Sequence, residues 1–375
     1  MLRLQQKLIA KDLEEKIVLL AGPRQVGKTT LAKSLAQTWQ KTQYLNYDSD
    51  NDRRVIVQQT WDRHAELVIL DEVHKLKKWK TKIKGVFDVE GIPPRLLVTG
   101  SARMDVYRRG GDSLAGRHFL HRLYPLSVRE LRGQGKPYEI LDQLMKFGGF
   151  PEPFFAQSET AAARWRNQLF ERVIRLDVQD LEPVKDIQTL LLLIDLLRER
   201  VGKPVSFASL ARDLELSPHT VKRWIQTLAN MYVVFVVSPY HRNMARALLK
   251  EPKIYFYDTG AVRGDEGAKL ENAVAVCLLK HLHFLEDTQG KQVALHYIRD
   301  KEKREVDFVT MIEGKIEQLI EVKFAEEEPH AALQYYAEKL KPKKAFQLIH
   351  KLERASSRKN IHLQHAAEWL DQLEI

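Results

Sequence analysis

The sequence predicts an α/β protein: a parallel sheet wrapped by helices, a largely helical middle, and a second, smaller α/β module. Three observations support this. From about 16 to 120, short apolar runs alternate with polar segments of helix length, the rhythm of a buried parallel sheet. Residues 126–200 read as mostly helical, and 204–238 as a small helix-turn-helix unit closing on an apolar strand. From Pro252 onward strands and helices alternate again. At 375 residues the chain exceeds what one core usually supports. Boundaries are expected at 1–125, 126–200, 201–250 and 251–375.

In the first module the strand candidates are Ile17–Ala21, Tyr44–Asn46, Leu67–Leu70 and Leu96–Val98. The first runs into Gly22-Pro23-Arg24-Gln25-Val26-Gly27-Lys28-Thr29, with Thr30 opening a helix. This is the G-x-x-x-x-G-K-[ST] pattern between a strand and a helix, where glycines let backbone N–H groups wrap phosphates at a helix N-terminus. The expected ligand is ATP with Mg²⁺. Lys28 is assigned to the β- and γ-phosphates and Thr29 to Mg²⁺. Leu67–Leu70 ends in Asp71-Glu72, read as a metal-side carboxylate followed by a base that polarises water. Leu96–Val98 ends in Thr99-Gly100-Ser101, where Ser101, or Thr99, is the expected γ-phosphate sensor. Arg117, on the glycine-hinged Leu114-Ala-Gly-Arg117, is the candidate arginine finger for a neighbouring subunit of a homo-oligomer. Arg103, Arg108 and Arg109 compete for that role.

The stretch His74–Lys84 is strongly basic and contains Trp79. Leu76, Trp79 and Ile83 are spaced as the core face of a helix, which competes with a reading as a nucleic-acid path. A net charge of +10 favours a polyanionic partner, with DNA first. In the helix-turn-helix unit, Phe207, Leu210, Ala211 and Leu214 line one helix, and Ser217-Pro218 starts the next. Val221, Ile225 and Leu228 bury that second helix, leaving His219, Thr220, Lys222 and Arg223 as DNA-contact candidates. Such units also serve protein contacts instead, the competing reading.

Near the C-terminus, Glu321 and Lys323 stand two apart in a strand pattern and so share a face. A turn at Glu313-Gly314 brings Asp307 of the preceding strand towards them, and Glu271 on an earlier helix completes the set. Carboxylates converging in this way bind Mg²⁺ and activate water; Asp307 and Glu321 are the metal candidates and Lys323 the residue that orients the water. The single cysteine, Cys277, lies in an apolar stretch and excludes an internal disulfide. No apolar run approaches the roughly 20 residues of a membrane span, and the first residues, charged throughout, are unlike a signal peptide. A cytoplasmic location is expected.

Taken in order, GPRQVGKTTL, LVILDEVHK, VTGSAR, SLAGR with YPLS, FGGFPE, YDTG, LEN, EVDF and IEVK resemble a prokaryotic family of AAA-type (archaeal-type) ATPases. In that family the ATPase is fused to a winged helix and a C-terminal domain of restriction-endonuclease-like, PD-(D/E)xK-like fold. The resemblance implies an AAA-type P-loop NTPase (ASCE) sheet, a helical lid, a winged helix and a nuclease-like module. His74 stands where glutamine is expected. The functions implied are a DNA-remodelling or translocating ATPase acting on structures such as junctions, an ATP-regulated endonuclease, or a nucleotide-dependent switch on a protein partner.

Overall fold

The computed structural model describes residues 3–100, 114–173, 187–241 and 250–374. It divides into two compact units, Met1–Tyr124 and Pro125–Ile375.

The first unit contains α1 (Gln6–Asp12), β1 (Ile17–Ala21), α2 (Lys28–Ala36), β2 (Thr42–Asn46), α3 (Asp50–Gln58), β3 (Leu67–Asp71), α4 (Trp79–Glu90), β4 (Arg95–Gly100) and β5 (His118–Arg122). The strands form one parallel sheet in the order β2-β3-β4-β1-β5. β1 and β3 are buried along their whole length, which explains why they read as unbroken apolar runs rather than alternating ones. β5 has no such run and was not legible from the sequence; its first half is only partly buried. Register places Leu70 beside Val98 and Leu20 beside Thr99, so the ends of β1, β3 and β4 converge on one sheet edge. Ligands of open parallel sheets bind beyond that edge. Trp79, Ile83 and Val86 of α4 enter the core beneath it, as the core-face reading of the basic stretch expects.

The second unit contains α5 (Pro137–Phe147), α6 (Pro151–Ala156), α7 (Glu159–Arg172), α8 (Ile187–Arg198), α9 (Phe207–Asp213), α10 (Pro218–Asn230), β6 (Val234–Pro239) and β7 (Lys253–Phe256). It continues with α11 (Glu266–Gln289), β8 (Val293–Arg299), β9 (Glu305–Ile312), β10 (Lys315–Lys323), α12 (Ala331–Leu340), β11 (Lys344–Ile349), β12 (Ser356–Arg358), β13 (Ile361–His365) and α13 (Ala366–Asp371). Its sheet is mixed, in the order β12-β13-β11-β10-β9-β8-β6-β7. The β9–β10 hairpin turns on Glu313 (φ 52°) and Gly314 (φ 71°), the left-handed pair that a two-residue turn demands.

The sequence boundaries near 200 and 250 are not breaks in packing. β6 and β7 pair antiparallel, and β6 extends the C-terminal sheet through Ser238 and Pro239 against β8. Pro204 bridges to Lys253. Strands that follow the helix-turn-helix thus belong to the same sheet as the carboxylate-bearing strands.

Three sequence-distant motifs meet inside this unit. Gly148, with φ 85°, lies so close to Asp258 that a Cβ would fall 1.8 Å from its carboxylate. Arg166 donates to the other oxygen of Asp258 at 2.5 Å, and both side chains are buried. Asn272 pairs with the backbone of Phe256 in both directions at 2.9 Å. FGGFPE, YDTG and the asparagine of LEN are therefore one buried polar network that locks the helices to the start of α11.

Candidate ATP site

The phosphate loop bends because Gly22 and Gly27 take positive φ angles of 153° and 101°. At Gly22 a Cβ would lie 2.2 Å from the Leu123 carbonyl oxygen, so only glycine lets β5's exit pack against the loop. α2 begins at Lys28, two residues before the sequence reading placed it. The Lys28 ammonium donates to the carbonyl oxygens of Gly22 at 3.0 Å and Pro23 at 2.6 Å, holding the loop closed. Gln25 is exposed with φ 60°. Val26 is buried core, and its carbonyl accepts from Arg3 at 2.5 Å. Arg24 contributes positive potential at Glu72, and Thr30 points outward.

Asp71 is the centre of the site. Its Oδ2 accepts from the Thr29 hydroxyl and the Tyr44 hydroxyl, each at 2.7 Å, and its Oδ1 accepts from the Thr99 hydroxyl. Burial pushes this carboxyl up, but the hydrogen bonds from Thr99, Tyr44 and Thr29 and the Lys28 charge outweigh it and hold it below the usual carboxylate range. An ionised carboxylate beside a threonine hydroxyl is the donor set that Mg²⁺ prefers, one or two carboxylates with phosphate oxygens. Thr99 is thus tied to Asp71. Ser101, with Arg103, Arg108 and Arg109, lies outside the described residues. Tyr44 was missed by the sequence reading; only the β2–β3 pairing brings it beside Asp71.

Glu72 follows the strand with φ 58°, a left-handed conformation that is unusual for a non-glycine residue and recurs at functional sites. Burial raises its carboxyl above the ordinary glutamate value, opposed by the charges of Lys28, Lys75 and Arg24. That moves it towards the range useful for proton transfer. His74 is pushed down to about 4, first by burial and then by Lys75, Arg24 and Lys28, and is neutral at pH 7.

Arg117 precedes β5, whose His118 pairs with Ile17 at the start of β1. It lies at the far sheet edge from Gly22, about 15 Å of strand away, with its Nε 2.5 Å from Asp88 Oδ1.

In the second unit the structure does bring Glu271, Asp307, Glu321 and Lys323 together. Lys323 lies 3.0 Å from Glu321 and His330 3.1 Å from the same oxygen. At the middle stands Lys253, fully buried and within 3.0 Å of Glu271, Glu305 and Asp307. Burial would lower its ammonium, but Glu271, Tyr255, Asp307 and Glu305 reverse that and hold it charged. Burial and Asp307 raise Glu271 to about 7 and raise Glu321 as well. The metal-ligand expectation for Asp307 and Glu321 meets a different arrangement: among the described residues no group of three or more His, Cys, Asp or Glu side chains has the geometry to hold a metal ion. The sequence reading missed Lys253 because nothing in Glu251-Pro-Lys253 distinguishes it from a surface lysine.

On α10, His219, Lys222 and Arg223 are exposed. The Thr220 hydroxyl is drawn into the helix cap, 2.9 Å from the Ser217 hydroxyl. Cys277 is buried, and burial pushes its thiol up to about 11. No helix among the described residues is long and apolar enough to cross a membrane.

Comparison with known proteins agrees with the first site. Residues 14–132 match the family described as AAA domain, and 138–264 and 266–369 match two domains of unknown function. An uncharacterized protein of Mycobacterium tuberculosis is 29% identical over 248 residues, 65% of this chain and 54% of that protein; the chain spans about half the length of this relative. An uncharacterized protein of Methanocaldococcus jannaschii is 20% identical, covering 84% of this chain and 77% of that protein. Among solved structures, the Thermotoga maritima Holliday junction branch migration motor RuvB has a TM-score of 0.34 at 19% identity, covering 66% of this chain and 94% of that one. A Walker-type ATPase of Pyrococcus abyssi has a TM-score of 0.38 at 14% identity, covering 69% of this chain and 93% of that one. Structural likeness of this degree carries no argument about function. Residues 14–132, which match an AAA domain, are the residues that carry the phosphate loop and its Asp71 partner.

Proposed function

We propose that this protein is a Mg²⁺-dependent ATPase that works on DNA, remodelling it or moving along it. The observation that carries the ATPase part is the Thr29–Asp71 contact at 2.7 Å, directly behind a glycine-built phosphate loop. Mg²⁺, when bound, neutralises charge on the β- and γ-phosphates. Thr29 and Asp71 are the residues that would hold it. Lys28 exchanges two backbone carbonyls for phosphate oxygens, Glu72 takes the proton of the attacking water, and Tyr44 with Thr99 keeps Asp71 aimed. Arg117 sits too far from its own loop to act there, so a finger role requires a second copy of the chain in a homo-oligomer.

The DNA part is supported by the net charge of +10 and by His219, Lys222 and Arg223 standing exposed at the start of α10. A helix-turn-helix presents its second helix to the major groove in this way, and the antiparallel β6–β7 pair that follows supports reading the unit as a winged helix. ATP turnover measured with single-stranded, duplex and branched DNA tests the reading, using wild type and Lys28→Ala. Turnover that DNA stimulates several-fold and Lys28→Ala abolishes is expected. Turnover indifferent to every nucleic acid would reject the DNA role and leave a switch acting on a protein.

A further inference from the structure

Lysine is seldom fully buried unless it is paired. Lys253 has no exposed surface, and its Nζ lies 3.0 Å from Glu271 Oε1, 2.8 Å from Glu305 Oε1 and 3.0 Å from Asp307 Oδ1. Three carboxylates on two elements, Glu271 of α11 and Glu305 and Asp307 two residues apart on β9, therefore share one ammonium, whose three protons match them one for one.

Each carboxylate is fixed from behind as well. Tyr255 donates to Glu271 Oε1 at 2.6 Å, Arg299 lies 2.9 Å from Glu305 Oε2, and the Val322 N–H donates to Asp307 Oδ2 at 2.9 Å. Glu271 Oε2 is seated against Gly202, where a Cβ would come within 2.6 Å. The lysine is held too: it opens β7, bridged to Pro204, with the Val205 N–H donating to Pro252 at 2.8 Å.

We propose that Lys253 is a resident cation in the acidic cluster where the sequence led to the expectation of a divalent metal, and that the cluster is a closed, metal-independent structure. A divalent ion such as Mg²⁺ needs about six oxygen ligands at close to octahedral geometry. Here one oxygen of each of three carboxylates is already committed to the ammonium. A second cation sharing Asp307 would also be repelled by it across a single carboxylate, at short range and in a poorly screened interior. Among the described residues Glu321 Oε2 is buried with no hydrogen-bond partner, which makes it the oxygen of the cluster left for a metal. The cluster is on this account a structural element and not a metal-dependent nuclease site. The inference stands apart from the ATPase reading, since it concerns residues outside the phosphate-loop unit.

Mn²⁺ binding to the full chain without nucleotide, read as the loss of the free Mn²⁺ resonance, tests it. Wild type and Glu321→Gln are expected to bind the same number of ions, with any site present in wild type removed by Asp71→Asn. Lys253→Met is expected to gain one Mn²⁺, and Lys253→Met/Glu321→Gln to lose it again. Wild type binding an ion that Glu321→Gln removes would overturn the proposal, as would a folded Lys253→Met that gains none. Should Lys253→Met not fold, the comparison of wild type with Glu321→Gln still decides.

Discussion

The Tyr44 hydroxyl donates to the same Asp71 oxygen that accepts from Thr29, each at 2.7 Å. Asp71 therefore has a holder that does not depend on the phosphate loop. When Thr29 turns towards a metal, Tyr44 and Thr99 remain on the carboxylate. Tyr44→Phe is expected to lower kcat for ATP about 10-fold, the loss of one hydrogen bond to a charged acceptor, with KM little changed. Steady-state turnover checks this, and an unchanged kcat would remove Tyr44 from the site.

Glu72 is raised by burial and must be ionised to accept a proton, so turnover should rise with pH through its shifted pKa. The acid limb of the kcat profile is expected above the ordinary glutamate value. Glu72→Gln should keep nucleotide binding, lower kcat by about 10²–10⁴-fold, and lose that limb.

His74 is held near 4 by burial and neighbouring cations. Its folded state thus binds fewer protons than the unfolded chain between about pH 4 and the ordinary histidine value near 6.5. The stability linked to neutral His74 is present above that window and is lost as pH falls through it, about 3 kcal/mol in full. His74→Gln should flatten the dependence of denaturation midpoints on pH between 4 and 6.5.

The buried Arg166–Asp258 pair, at 2.5 Å, predicts a fold defect and not a catalytic one. Arg166→Met leaves Asp258 charged and uncompensated, costing about 3–5 kcal/mol. Gly148→Ala should be comparably damaging, because its Cβ would overlap the same carboxylate. Denaturant melts should show both, with ATP turnover per folded molecule unchanged.

Replacing His219, Lys222 and Arg223 with alanine should weaken DNA binding similarly for all sequences. If Lys222 and Arg223 each contact one phosphate, the slope of log affinity against log salt should become shallower by about 2. A slope that does not move would place the DNA surface elsewhere.

Local chemistry was legible wherever a residue's role depends on its own neighbours in sequence. Gly22, Gly27, Lys28 and Thr29 needed only the strand before and the helix after them, and the Glu313-Gly314 turn needed only its own backbone. The shared face of Glu321 and Lys323 followed from the two-residue period of a strand, and they do meet at 3.0 Å. β5 was not legible because HFLHR lacks an apolar run, and its place is set by pairing with β1.

The sequence by itself thus determined the phosphate loop, its acidic partner and the alternation that builds the first sheet, because each is encoded over a handful of consecutive residues. Tertiary structure alone decided that Tyr44 and Thr99 aim Asp71, that Arg117 lies away from its own loop, and that Lys253 stands among Glu271, Glu305 and Asp307. These groups are brought together by strand order and register, which arise from long-range pairing that no local window contains.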